Sequence, residues 1–137
     1  MDDFTQCMVS NSRMAARAIT RRYDAQARPF GITSTQFSLL GAITEAGDRT
    51  VTDLAEARGF ERTTLIRNLD RLEKLGLVTS RTAEHGNGRI CSLTPRGGET
   101  VQKLLPLWRK VQAEIRAELG AEGFDHALAT LKRLAAV

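Results

Sequence analysis

The stretch from Thr50 to Arg89, TVTDLAEARGFERTTLIRNLDRLEKLGLVTSRTAEHGNGR, leaves the chain few ways to fold. Thr50-Val51-Thr52-Asp53 has the form of a helix start, a hydroxyl N-cap with an acid in the first turn. That helix is short, with Leu54 and Ala55 facing inward, and it ends near Arg58 because Gly59 tolerates the positive φ of a tight turn. A small residue at the crossing (Ala55), glycine at the turn and an apolar plug (Phe60) make up the helix-turn-helix pattern. The next helix runs from about Arg62 to Leu75, with Gly76 as its cap and Leu65, Leu69 and Leu72 as its buried stripe. At ~100° per residue, Thr63, Arg67, Arg71 and Lys74 fall opposite Leu65, with Thr64 at the border, so the outward face is basic and hydroxyl-rich. Val78 to Thr82 and Arg89 to Leu93 then read as two short strands, and Ala83 to Gly88 suits the tip of a hairpin.

The flanking sequence is helical. Residues 7–28 carry Met8, Ser12, Ala15, Ile19 and Tyr23 at steps of three and four, with Arg13, Arg17 and Arg21 on other faces. Pro29, Phe30 and Gly31 end this helix. Thr33 to Gln36 matches a capping box and opens a helix bearing Phe37, Leu40 and Ile43, which stops at Gly47. Thr94 at N-cap and Pro95 at N1 start a long helix. Val101, Leu104, Leu105, Trp108, Val111, Ile115 and Leu119 keep helical spacing until Gly120, and Pro106 is a candidate kink. About 25 residues at ~1.5 Å each make a rod near 38 Å, more than so small a domain needs for its own core. Phe124, Leu128, Leu131 and Leu134 define a last helix. The apolar surplus on the first, long and last helices calls for a partner, and a two-fold dimer is the simplest one.

Charge sharpens this picture. The 137 residues carry a net +4, and residues 62–96 hold seven Lys/Arg against three Asp/Glu, whereas residues 31–61 hold two against five. The positive field therefore sits on the second helix of the motif and on the hairpin, where phosphates would be bound. Cys7 and Cys91 lie too far apart in sequence to suggest a disulfide framework, and no metal-ligand spacing occurs, so neither a metal nor a cofactor is expected. No apolar run approaches the roughly 18 residues of a membrane span, and the polar start MDDFTQ does not read as a signal peptide. The expected compartment is the cytoplasm. With no nucleophile–base pair and no phosphate loop, the residues point away from an enzyme.

The order helix, helix, helix-turn-helix, hairpin wing, long helix, final helix resembles the MarR family of bacterial transcription regulators. The segments that carry the resemblance are TVTDLAEARGFERTTLIRNLDRLEKLGLV, the wing arginine followed by SLTPRG, and RAITRRYDAQARPFGITSTQFSLL. It implies a mainly α fold with a small β-hairpin wing. Residues 31–94 would form the winged helix-turn-helix, and residues 1–30 and 95–137 the dimerisation helices of a single 1–137 domain. It further implies a homodimer that places two recognition helices in successive major grooves of near-palindromic double-stranded DNA. Such regulators are usually repressors; many release DNA on binding a small, often aromatic, ligand, and others respond to cysteine oxidation. One departure stands out: the family's wing usually reads Asp-x-Arg, whereas here it reads Asn87-Gly88-Arg89, leaving Arg89 without its usual carboxylate. Glu61 is a second oddity, a poor N-cap residue where Ser or Asp is common.

The candidate DNA-contacting residues are thus Arg62, Thr63, Thr64, Arg67, Asn68 and Arg71 on the recognition helix, and Arg81, His85 and Arg89 in the wing. Arg67 and Arg71, one turn apart, can each fork onto guanine or onto a phosphate. Thr63 and Thr64 can reach phosphate oxygens or a thymine methyl. Asn68 lies toward the core side and has a structural alternative, and His85 an alternative as a solvated loop residue. The wing arginines suit the minor groove or the backbone. Tyr23, Phe30, Phe37 and Trp108 are candidates for lining an effector pocket, each with a core role as its alternative. Cys7, near a helix start where the dipole lowers a thiol pKa, is a candidate redox switch or an interface thiol. Cys91 alternates inward on its strand and reads as core. A winged helix that binds protein instead of DNA is a further class, distinguished by the absence of salt-dependent association with duplex.

Overall fold

The computed structural model describes residues 1–86 and 88–136. Among them lie six α-helices and one hairpin: α1 (Met8–Ala27), α2 (Ser34–Ala46), α3 (Val51–Arg58), α4 (Arg62–Lys74), β1 (Val78–Thr82), β2 (Arg89–Leu93), α5 (Pro95–Leu119) and α6 (Ala121–Ala135). Short 3-10 turns at Phe4–Gln6 and Arg28–Phe30 flank α1.

Local chemistry sets most of these boundaries. Thr33 and Gln36 form a reciprocal capping box on α2, and Thr50 and Asp53 form another on α3. Gly59 takes φ 67°, and the amide of Phe60 bonds back to the Ala55 carbonyl at 3.0 Å, closing the turn of the motif. Glu61 contradicts its expected weakness as a cap. Its longer side chain reaches back so that the Thr63 amide donates to one carboxylate oxygen at 3.0 Å and the Thr64 amide to the other at 2.8 Å. Thr94 caps α5 by accepting from the Gly97 amide, while its hydroxyl donates to the Gly76 carbonyl at 2.6 Å. The long helix runs unbroken through Pro106.

The core is built where α2, α3, α4 and the hairpin meet. Leu39 and Leu40 of α2 and Leu65, Leu69 and Leu72 of α4 are essentially inaccessible to solvent, with Val51, Leu54, Leu77, Val78, Cys91 and Leu104 around them. Each such leucine contributes about 2 kcal/mol of burial, so the leucine stripe fixes which face of α4 is left outside. The antiparallel register pairs Val78 with Leu93 and Thr82 with Arg89. Gly97 is needed for close approach: a Cβ there would lie 2.0 Å from the Leu77 carbonyl oxygen, so α5 rests directly on the backbone between α4 and β1. Phe4, Met8, Val9, Met14, Leu119, Leu128, Leu131 and Leu134 remain exposed on the terminal segments.

Candidate nucleic-acid interface

The leucine stripe turns Arg62, Thr63, Arg67 and Arg71 outward, and all four are exposed. They form the basic, hydroxyl-bearing face of α4. Thr64 is exposed as well, but its hydroxyl donates to Glu61 at 2.6 Å and is already engaged. Those hydrogen bonds from Thr64, together with the Thr63 amide, pull the Glu61 carboxyl down to about 2. The amides that a phosphate would seek at this helix start are therefore satisfied from within the chain. Asn68 proves to be a tie between helices: it accepts from Gln36 of α2 at 3.2 Å and donates to the Thr64 carbonyl at 3.0 Å.

The wing arginines are held. Arg81 pairs with Asp48, in the loop before α3, at 2.8 Å. Arg89 has three partners: Ser80 Oγ across the hairpin at 3.0 Å, Asp70 Oδ1 at 2.9 Å and Glu73 Oε2 at 3.1 Å. With Asn87 in place of the usual wing acid, the orienters of Arg89 come from α4 instead of from the wing. Asp70 and Glu73, the two acids on a basic helix and three residues apart, were the available signal. His85 is exposed at the wing tip, and Asn87 falls outside the described residues.

The candidate pocket residues divide. Tyr23 of α1, Phe37 of α2 and Trp108 of α5 line one cavity of about 270 Å³ with Ile19 and Leu104. Phe30 does not join them; the 3-10 turn folds it against the central core. Tyr23 donates its hydroxyl to Gln112, and burial pushes its phenol up. Cys7 is half-buried at the start of α1, where the neighbouring amide and hydroxyl of Ser10 lower its thiol, while Cys91 is buried. No cluster of metal-ligating side chains occurs among the described residues, and none of their helices is long and apolar enough to cross a membrane.

Comparison with known proteins bears on this geometry. The MarR family model matches residues 30–89, which span the start of the motif's scaffold through the wing arginine. The M. tuberculosis transcriptional regulator MosR, solved in complex with DNA, is 37% identical, with a TM-score of 0.86 over 95% of this chain and 94% of that one.

The chain belongs to the MarR family.

It is a winged helix-turn-helix, DNA-binding transcriptional regulator of that family. YwoH of Bacillus subtilis, an HTH-type transcriptional regulator, is 25% identical over 122 residues, 87% of this chain and 89% of that protein. BpsR of Bordetella bronchiseptica, whose DNA binding is regulated by 6-hydroxynicotinic acid, shares the fold with a TM-score of 0.90 at 17% identity, covering 100% of this chain and 99% of that one.

Proposed function

We propose that this MarR-family protein is a cytoplasmic, homodimeric repressor that reads near-palindromic duplex DNA with α4 and is released by a small aromatic ligand. The observation that carries the reading is the exposed face of Arg62, Thr63, Arg67 and Arg71, held outward by the buried Leu65, Leu69 and Leu72. The DNA complex of MosR supports the same use of this fold. Exposed Met8, Leu128, Leu131 and Leu134 on the terminal helices support a partner copy, because apolar surface of this extent is normally covered. In a two-fold dimer the two α4 helices reach half-sites one helical turn apart.

Release follows from position. The cavity beside Tyr23 and Trp108 lies where α1 and α5 meet α2, so a ligand there couples the terminal helices to the reading head. It acts only to the extent that it binds one spacing of the two α4 helices better than the other. Bound fragments selected from the source genome, followed by transcription from the selected promoters with and without the protein, test the reading. A two-fold motif and repression are expected; no salt-dependent association with duplex would sink it.

A second reading has its own observation. The half-buried Cys7 thiol at the start of α1 is lowered by the neighbouring amide and hydroxyl of Ser10, which favours the thiolate that oxidants attack. Peroxide would then abolish DNA binding in the parent protein but not in Cys7→Ser. Equal peroxide sensitivity of the two proteins rejects this alternative.

A further inference from the structure

Glu61 stands exposed at the entry to the reading helix, directly before Arg62 and Thr63. Three donors pin it there. The Thr63 amide donates to one carboxylate oxygen at 3.0 Å, and the Thr64 amide and hydroxyl donate to the other at 2.8 Å and 2.6 Å. These amides are the ones a phosphate takes at a helix start, so the carboxylate sits in the place of a bound anion. Capping alone does not call for glutamate, since Asp, Asn or Ser serves at least as well.

Charge sets Glu61 apart from the acids within α4. Asp70 and Glu73 are both paired with Arg89. The donors on Glu61 are neutral, so a full negative charge is left at the tip of a face that carries Arg62, Thr63, Arg67 and Arg71. Held by three hydrogen bonds, the carboxylate does not swing aside when a phosphate approaches.

Two ways of docking α4 on duplex then differ. Seated in the major groove, the helix turns its first residues to base edges. On unrelated duplex the contacts are to phosphates, and a helix start is drawn to them. A carboxylate in that place repels them, most strongly at low salt.

We propose, on the reading of duplex by α4 put forward above, that Glu61 is a specificity-determining residue that denies the start of α4 to DNA phosphates. Docking on the backbone alone is penalised, and seating over base edges is not.

Glu61→Asp and Glu61→Asn test this as a pair, because the two side chains cap about equally well and differ in charge. The full-length proteins are titrated with selected DNA and with unrelated duplex at about 0.05 M and about 0.3 M salt, beside Arg67→Ala. At the lower salt Glu61→Asn is expected to bind unrelated duplex about fivefold more tightly than Glu61→Asp, with selected DNA changed less than about twofold. The difference should shrink at the higher salt, and Glu61→Asp should keep the parent's preference for selected DNA. No gain on unrelated duplex, an equal gain on both DNAs, or a gain undiminished by salt overturns the role. A preference lost equally in Glu61→Asp and Glu61→Asn assigns the effect to the shape of the cap and overturns it too. Should thermal melting show Glu61→Asn to be poorly folded, the longer Glu61→Gln is judged by the same ratio. Parent-like binding of selected DNA by Arg67→Ala would remove the reading by α4 and this role with it. Weakened binding by Arg67→Ala, with the Glu61 pair alike, would remove the role of Glu61 alone.

Discussion

Arg89 on β2 sets its guanidinium 2.9 Å from Asp70 on α4, so wing and recognition helix are joined by an ion pair across 19 residues of chain. Glu73, one turn further along, takes the other terminal nitrogen, and Ser80 accepts from Nε. The clamp fixes where the wing stands relative to the reading face, and it neutralises two acids that would otherwise repel phosphates. Arg89 is only partly exposed, at 27%, while its acidic partners are open to solvent, so the clamp sets geometry more than stability.

Asp70→Asn tests that clamp. The exposed pair is worth at most about 1 kcal/mol, so the melting temperature should shift by only a few degrees. Without the charge of Asp70, Arg89 keeps only Glu73 and Ser80 as partners and adds positive field at a less closely fixed position. Affinity for unrelated duplex should rise, and the preference for selected sites over unrelated duplex should fall about fivefold, a loss of roughly 1 kcal/mol. Binding titrations on both DNAs read the ratio, and an unchanged ratio would remove the positioning role.

Arg67 lies at the middle of the exposed face of α4, one turn from Arg71. Arg67→Ala should weaken binding to selected DNA by at least about 1 kcal/mol, the scale of one base contact. The fold should be unaffected, because the side chain is outside the leucine core. Full affinity in a normally folded variant would disprove the assignment.

Gly97→Ala should destabilise the protein without touching the reading face. The added methyl would meet the Leu77 backbone oxygen at 2.0 Å, and neither α5 nor the turn before β1 can yield without disturbing the core. A loss of about 1–3 kcal/mol is expected from overpacking, read by denaturant titration. An unaltered midpoint would show that α5 can shift away from that carbonyl.

Glu61 makes the start of α4 sensitive to acid. Its carboxyl is lowered from an ordinary 4.5 to about 2 by the Thr64 hydroxyl and the Thr64 and Thr63 amides. A carboxylate lowered in the folded state stabilises it above the unfolded value, and that contribution is lost as pH falls through the folded value. Amide exchange at Thr63 and Thr64, corrected for intrinsic rates, should therefore lose protection between about pH 4.5 and pH 2. In Glu61→Gln that pH dependence should vanish, and its persistence there would assign it to another group.

The sequence by itself determined the helices, the turn and the wing. Thr33, Thr50 and Thr94 act on amides three residues away, Gly59 on its own backbone, and Leu65, Leu69 and Leu72 through a period of one or two turns, so each signal lies within a short window. Glu61 lay inside such a window too, but cap preferences favour short side chains and hid what a longer one reaches by folding back. What only the tertiary structure decided are contacts between segments distant in the chain. The partners of Arg89 are 9, 16 and 19 residues away, and the carbonyl that demands Gly97 belongs to the other side of the hairpin. Phe30 left the cavity, and Trp108 came to line it with Tyr23 and Phe37, because α1, α2 and α5 meet in space and not in sequence. Periodicity says which face of a helix is buried, but only packing says against what.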